Sequence, residues 1–471
     1  IQIQAEQLFS LFGMRDFARF DGFLMPDGKI WFSDFNPISG MEQNSFLFQQ
    51  ASRIGFSHQD LLRYILNNSF NRRGIKAHIE NTFITEKRKP LAVLFGGETA
   101  EKQVSLMSGT NVWLKLRGSH IYEPHPYLLA PGGVVWELPY SYILNHTVEE
   151  IITNAENAEK DSERLAFLLE KVLVRLHLSE GEATERFFVP RKYKLNDVLQ
   201  KFPFVFLALH GGVGEDGTMQ KLLKEKNIKF NGSGVVASKL CMDKWETSEA
   251  IINAKIKNVS VAGHALFQIN DVPKNTGDLL TRAHWKMLTE RLGTSRIIGK
   301  PRGDGCSAGV AMLSNEKDLA TYISLIRNKA KVAPSGTFIN QTTSIDMPEG
   351  EVDNVIFESF IETDKLRVIN GNIKHIPKTG YVEMTVGVLE ENGHMRSLSP
   401  SITIAEDTIL SVEEKFQGGT GVNITPPPTE ILSSKNLLKV KRSIEEVAGK
   451  IGIRGYARID IFVQLSTGNI I

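Results

Sequence analysis

The sequence predicts a protein of mixed α/β and α+β class: a Rossmann-like α/β domain, then a larger β-rich part closed by a helix. Three observations carry this. The buried-strand run Leu91-Ala92-Val93-Leu94-Phe95 opens into Gly96-Gly97 and a helix, the start of an α/β unit. Val205–Leu209 is a second such run and ends in His210-Gly211-Gly212. Finally, Phe12-Gly13-Met14-Arg15-Asp16-Phe17-Ala18-Arg19-Phe20-Asp21-Gly22-Phe23 recurs as Ile451-Gly452-Ile453-Arg454-Gly455-Tyr456-Ala457-Arg458-Ile459-Asp460-Ile461-Phe462. A repeat of such long period implies a duplicated domain rather than a solenoid. On this reading the chain starts near the end of one copy and stops, on Ile471, near the same place in the next.

Residues 1–36 read as a helix end, then two strands joined at Pro26-Asp27-Gly28. Ser57-His58-Gln59-Asp60, followed by Leu61, Leu62, Ile65 and Leu66, predicts a capped amphipathic helix. The polar, irregular stretch 71–90 reads as a linker, and the charged helical segment within 145–200 as an insertion. Ser238 is expected to cap a helix, and β-rich segments with glycine turns to fill 296–420. Ser434 through Ile451 predicts a final amphipathic helix leading into the strand with Arg458 and Asp460.

Bulk properties narrow the function. With 41% apolar and 23% charged residues and a net charge of +1, nothing draws the chain to nucleic acid or an anionic membrane. Apolar runs such as Phe202–Leu209 are too short to span a bilayer. Cys241 and Cys306 cannot build a disulfide framework, which makes a reducing compartment the default. The first residue is Ile1 rather than Met, so the lack of a signal-peptide pattern says little about targeting.

Several motifs carry chemistry. Gly96-Gly97-Glu98-Thr99-Ala100-Glu101 and His210-Gly-Gly-Val-Gly-Glu215-Asp216-Gly217 each stand at the carboxyl end of a strand, where α/β sheets bind ligands. A plain strand-to-helix turn needs such glycines too. Lys300-Pro301-Arg302-Gly303-Asp304-Gly305-Cys306-Ser307-Ala308-Gly309 suits covering a triphosphate, with a glycine hairpin as the alternative. Phe357-Glu358-Ser359-Phe360-Ile361 reads either as a hinge that contacts adenine or as an edge strand. Asp21, Asp34 and Asn36 offer oxygen ligands from neighbouring strands, as Mg²⁺ prefers, and Asp34 and Asn36 share a strand face.

Together these motifs resemble the D-alanine–D-alanine ligases of the ATP-grasp superfamily. Gly-Gly…Glu101-x-x-Val-Ser-Leu, His210-Gly…Gly-Glu-Asp-Gly, Gly-Ser-Gly…Ser238-x-x-x-Met-Asp-Lys244, Gly-Cys306-Ser307-x-Gly-Val, Arg458-x-Asp460 and Asn36-x-x-x-Gly40-Met occur as in the family. The resemblance covers 91–471 apart from the insertion, while residues 1–71 resemble the C-terminal end of the same enzyme. It implies a Rossmann-like (pre-ATP-grasp) domain over 91–237 and a two-part ATP-grasp domain over 238–471. Before them stand the C-terminal end of a preceding ligase copy (1–71) and a linker (72–90). A tandem duplication of this kind resembles the plant arrangement.

The roles the resemblance implies are as follows. Lys244, Lys300 and Ser307 hold ATP phosphates, and Glu358 with the Phe360–Ile361 backbone contacts adenine. Glu101 binds the ammonium of the first D-alanine, with His210 nearby. Arg458, or Arg19 in the other copy, stabilises the oxyanion with the Gly40 amide. Lys415 and Ser45 hold the second carboxylate, while Asp460, or Asp21, Asp34 and Asn36, bind Mg²⁺ (or Mn²⁺). ATP turns the first D-alanine into an acyl phosphate, which the amine of the second attacks. Small-molecule substrates, a homodimer as one option, and a cytoplasmic (in a plant, plastid stromal) location also follow.

Three departures from the family bear on this. Asp34 stands where a glutamate is usual, and it is one methylene shorter. Cys306 and Phe416 replace the usual Ser and Tyr, and Phe at the latter position goes with tolerance for D-lactate, so an ester-forming ligase is an alternative. The second copy stops before its Glu-x-Asn, Gly-Met and Ser, whose counterparts lie in the N-terminal segment and could complete that site in permuted form. Another ATP-grasp carboxylate–amine ligase and a catalytically impaired ATP-binding repeat are the remaining readings.

Overall fold

A computed structural model describes residues 1–80, 87–175, 183–185, 187–269, 278–303, 307–339, 341–348, 350–369, 372–404 and 422–471. The chain divides into two compact units: residues 1–98 with 102–210, and residues 99–101 with 211–471. Among the described residues no helix is long and apolar enough to cross a membrane.

The first unit is organised by the strand Lys89–Gly96, whose residues 91–96 are all buried. It pairs in parallel with Tyr122–Leu129 on one side and Phe204–Leu207 on the other. Val134–Glu137 and Arg191–Lys194 extend the sheet in antiparallel fashion. A strand covered on both faces must be apolar throughout, as 91–95 is. Helix Lys102–Arg117 lies on this strand, and a Cβ on Gly109 would come within 2.4 Å of the Phe95 ring, so glycine permits the close approach. Leu91, Val93, Phe95, Leu106, Trp113 and Leu128 form the core. Fully burying such large side chains contributes about 1.5–3 kcal/mol each.

The N-terminal segment is built into this unit. Helices Phe46–Arg53 and His58–Arg72 place Phe48, Ala51 and Leu61 in the same core, and Phe56 joins them from the turn between the helices. Ser57 and Asp60 form a reciprocal capping box on the second of these helices. Asp60 also accepts a 2.6 Å hydrogen bond from Thr184 Oγ1, and the Glu185 amide donates to the Gly55 carbonyl at 2.9 Å.

In the second unit, His264–Gln268, Asn354–Ser359, Ile297–Pro301 and Ala311–Leu313 make a four-stranded antiparallel sheet. Helices Asp278–Leu292 and Glu316–Arg327 bring Leu288, Tyr322 and Ile323 to its core. A three-stranded sheet, His394–Ser397, Tyr381–Glu391 and Tyr456–Gln464, packs with helix Ser434–Ile451 through Val386, Val440, Ile444 and Val463. That helix is capped by Ser433, which accepts from the Asn436 amide, and is ended by Gly452 at φ 81°.

Four expectations change. Ser238 sits inside helix Val235–Met242, whose N-cap is Gly234; the side-chain cap belongs to Asp243, at the start of helix Lys244–Ala254. The 296–420 region contains the helix Glu316–Arg327, capped by Asn315 and amphipathic enough to bury Leu319, Tyr322 and Ile326. The stretch 145–200 is not helical throughout, because Arg191–Lys194 adds an edge strand to the sheet. The strand with Glu358 is interior rather than edge, flanked on both sides by partners.

The repeated pattern has matching geometry in both places. In the N-terminal hairpin Phe23 lies opposite Trp31 and Leu24 opposite Ile30. Near the other end Phe462 and Ile471 exchange both backbone hydrogen bonds, and Val463 bridges Ile470. The strand register is therefore the same in the two stretches.

Candidate functional site

Two lysine-bearing segments of the second unit are locked together. Lys300 lies within the strand Ile297–Pro301, and its Nζ is 2.6 Å from Glu358 on the neighbouring strand. Lys244 opens helix Lys244–Ala254, and its amide donates to the Arg302 carbonyl at 3.1 Å. The Arg302 guanidinium in turn grips both carboxylate oxygens of Asp243 at 2.9 Å and reaches Glu246 at 3.1 Å. Although partial burial works against it, the positive charge of Arg302 and the amides of Glu246 and Trp245 hold the Asp243 carboxyl below its ordinary range. Phe360 donates its amide to the Arg296 carbonyl and stacks under the Arg296 guanidinium, 4.5 Å from the ring centre; Ile361 follows it. Ser307 adopts a left-handed φ of 59°.

A second cluster in the same unit gathers acids about the glycine turn at 211. A Cβ on Gly211, where φ is 66°, would lie 3.3 Å from Glu101 Oε2, so only glycine fits without strain. The surroundings of Glu215 withdraw water from its carboxyl, and the negative Glu101 adds repulsion. Both push its pKa up, against the Gly211 amide and the positive charge of Arg458. Glu101, Glu215 and Arg458 thus share one electrostatic neighbourhood. On its strand Arg458 is two residues from Asp460, which accepts a 2.7 Å hydrogen bond from Thr385 Oγ1. Glu101 and Gly211 line a cavity of about 760 Å³ that also exposes Lys329, Lys331 and Asp346. His210 belongs to the first unit, where its Nε2 is 2.9 Å from Ser108 Oγ.

The N-terminal hairpin, in the first unit, presents Arg19, Asp21, Asp34 and Asn36 on one face. Asp21 stands directly opposite Asp34, and Arg19 opposite Asn36. Arg19 pairs with Asp21 at 3.1 Å, and the Asn36 amide donates to Asp34 Oδ2 at 2.9 Å. Two carboxylates and an amide with only oxygen acceptors are the donor set a hard divalent cation takes, so the residues fit Mg²⁺. The Glu42 carboxylate lies against Gly40, where a Cβ would meet it at 2.5 Å. Ser45 precedes helix Phe46–Arg53, and its enclosed hydroxyl oxygen has no hydrogen bond among the described residues.

Cys306, Lys415 and Phe416 lie outside the described residues. Two groups not singled out from the sequence enter the picture. Glu215 was visible as part of the His210–Gly217 motif. Arg302 had only its place after Lys300 to mark it, because its partner lies 59 residues away.

The family model described as "D-ala D-ala ligase N-terminus" matches residues 90–233, and that described as "D-ala D-ala ligase C-terminus" matches residues 1–67. The pattern of the family's end therefore precedes that of its beginning. A D-alanine--D-alanine ligase of Leptospira interrogans is 23% identical over 379 residues, covering 79% of this chain and 85% of that protein. One from Pediococcus pentosaceus is 27% identical over 379 residues, covering 80% and 86%. The crystal structure of D-alanyl-alanine synthetase A from Vibrio cholerae superposes with a TM-score of 0.51 at 18% identity, over 82% of this chain and 87% of that one, and shares the fold. The chain thus has a mixed α/β ATP-grasp architecture and carries both sequence patterns of the D-alanine–D-alanine ligases, a family of ATP-dependent ligases.

Proposed function

We propose that the protein joins two D-alanines to D-alanyl-D-alanine, using ATP to activate the first as an acyl phosphate. The observation that carries this is the shared neighbourhood of Glu101, Glu215 and Arg458 about the Gly211 turn. Acids suit the ammonium of an amino acid, and an arginine beside them suits the oxyanion that forms when its carboxyl carbon is attacked. A carboxylate does not accept an amine unaided, so the carboxyl must first be phosphorylated. Lys244, Lys300 and Ser307 neutralise the phosphates in this reading, and Glu358 with the Phe360–Ile361 backbone holds the adenine.

His210 assists Glu101, and Lys415 with Ser45 holds the second carboxylate, whose amine then displaces phosphate. Arg19 and the Gly40 amide are the counterparts of the oxyanion-binding groups in the N-terminal stretch. Asp21, Asp34 and Asn36, or Asp460 in the other stretch, would hold Mg²⁺ (or Mn²⁺), which supplies charge neutralisation for phosphoryl transfer. The matching strand register of residues 23–31 and 462–471 supports reading the chain as parts of two tandem copies.

Phosphate release by the purified chain with ATP, Mg²⁺ and D-alanine, compared with L-alanine and with no amino acid, tests the proposal. Release that depends on D-alanine is expected. ATP binding without such release would instead favour an impaired ATP-binding repeat. A second reading rests on Phe416, where a phenol hydroxyl is usual: D-lactate as the second substrate, giving the ester.

A further inference from the structure

The bond between Arg302 and Asp243 has no role in the reaction as described, yet it joins the two segments that carry Lys244 and Lys300. Asp243 is the residue before Lys244, and Arg302 stands two beyond Lys300. Four links converge on Arg302. Its guanidinium holds Asp243 through both carboxylate oxygens and also reaches Glu246 at 3.1 Å, its carbonyl accepts from the Lys244 amide, and its amide donates to the Asn354 carbonyl at 3.3 Å. Asn354 begins the strand that carries Glu358. A planar guanidinium gripping a carboxylate at two points fixes orientation as well as distance, which a lysine in the same place would not.

The clip also lies in the wall of a second cavity, of about 690 Å³, whose lining includes Asp243, Arg302, Lys221 and Lys239. Met242 and Gly303, the neighbours of the two partners, line both this cavity and the one at Glu101.

We infer that Arg302 is a positioning residue: clamped on Asp243, it sets the separation of Lys244 and Lys300 so that both meet one nucleotide's phosphates. This rests on the ATP-binding roles proposed above for the two lysines. The clip then governs affinity for the phosphate chain and leaves the adenine contacts untouched. Breaking it from either side has the same effect, because neither partner touches the nucleotide.

The test is equilibrium titration of the full chain with ATP and, separately, with AMP, for the parent, Arg302→Ala, Arg302→Lys and Asp243→Asn. Asp243→Asn keeps a good helix N-cap while removing the charge that Arg302 grips, so it carries the test if Arg302→Ala does not fold. We expect ATP affinity to fall about tenfold in Arg302→Ala and Asp243→Asn, with AMP affinity within about twofold of the parent and Arg302→Lys in between. An unchanged ratio of ATP to AMP affinity in both variants overturns the clip. So does a loss confined to the Arg302 variants, which would mean that Arg302 contacts phosphate itself. A parent chain with no affinity for ATP would overturn the ligase reading, and the clip with it.

Discussion

Lys300 and Glu358 face each other across adjacent antiparallel strands, Nζ to carboxylate oxygen at 2.6 Å, with each side chain about four-fifths covered. Their backbone positions are offset by two residues in the ladder, since Lys300 is paired with Ile356 and Glu358 with Ile298. Any anion that takes Lys300 must take it from Glu358, which stays beside it as a potential acceptor for a base amine.

Replacing Lys300 should therefore lower both activity and stability. Lys300→Ala is expected to lower D-alanine-dependent phosphate release by on the order of 10²-fold, as losing one preorganised charge at a phosphoryl site does. The melting temperature should fall as well, because Glu358, about four-fifths covered, loses its charged partner, so rates are read well below the variant's melt. Initial rates and a thermal melt on the same preparation check both halves.

The Glu215 carboxyl gives a pH-dependent prediction. Its folded-state pKa is raised above the ordinary 4.5 by withdrawal of water and by Glu101. The folded state thus favours the protonated form, and ionisation destabilises the fold as pH rises from the unfolded value through the folded one. Glu215→Gln should raise the melting temperature relative to the parent at pH 7, and the gain should vanish towards pH 4. Paired melts across that range decide it; a gain that persists in acid would contradict the assignment.

Asp364 predicts the opposite pH trend. Its carboxylate, 1% exposed, accepts from the amides of Lys378, Thr379 and Gly380 at 2.7–2.8 Å and from His375 Nε2 at 2.7 Å. Burial alone would raise its pKa, but these donors outweigh it and the net shift is downward. Stability from this group is present above the unfolded value of 3.8 and is lost as pH falls through the folded one. Asp364→Ala leaves three turn amides without their acceptor and should cost about 2–4 kcal/mol at pH 7, read by denaturant titration.

The second substrate is open to a direct product assay. With Phe416 in place of the usual tyrosine, D-alanyl-D-lactate should form alongside the dipeptide, and its share should grow as pH falls and the competing amine is protonated. Mass analysis of products at two pH values is enough. Dipeptide alone at the lower pH would sink the ester reading.

Local patterns were readable in the sequence wherever one element supplies its own reasons. The strand 91–95 announces itself because both faces are covered, and helix Ser434–Ile451 because its buried residues fall at helical spacing. Asp21, Asp34 and Asn36 could be grouped because a strand alternates faces and a hairpin brings its two arms together. Elements whose reasons lie far along the chain were not readable. Arg191–Lys194 is short and polar, and only its pairing with Val134–Glu137 makes it a strand. Ser238 looked like a cap by residue type, but the helix begins one turn earlier, at a glycine. The Arg302–Asp243 clamp has no local signature, because both partners sit in ordinary motif positions and meet only through the fold.

The paired hairpin stretches have unequal turns: five residues separate Leu24 from Ile30, and six separate Val463 from Ile470. Had the additional residue entered a strand, every side chain beyond it would have swung to the opposite face. Because the turn absorbs it, Ile470 and Ile471 meet Val463 and Phe462 as Ile30 and Trp31 meet Leu24 and Phe23. The loop acts as a tolerance joint. One residue more or less there leaves the pairing of the adjoining strands unchanged.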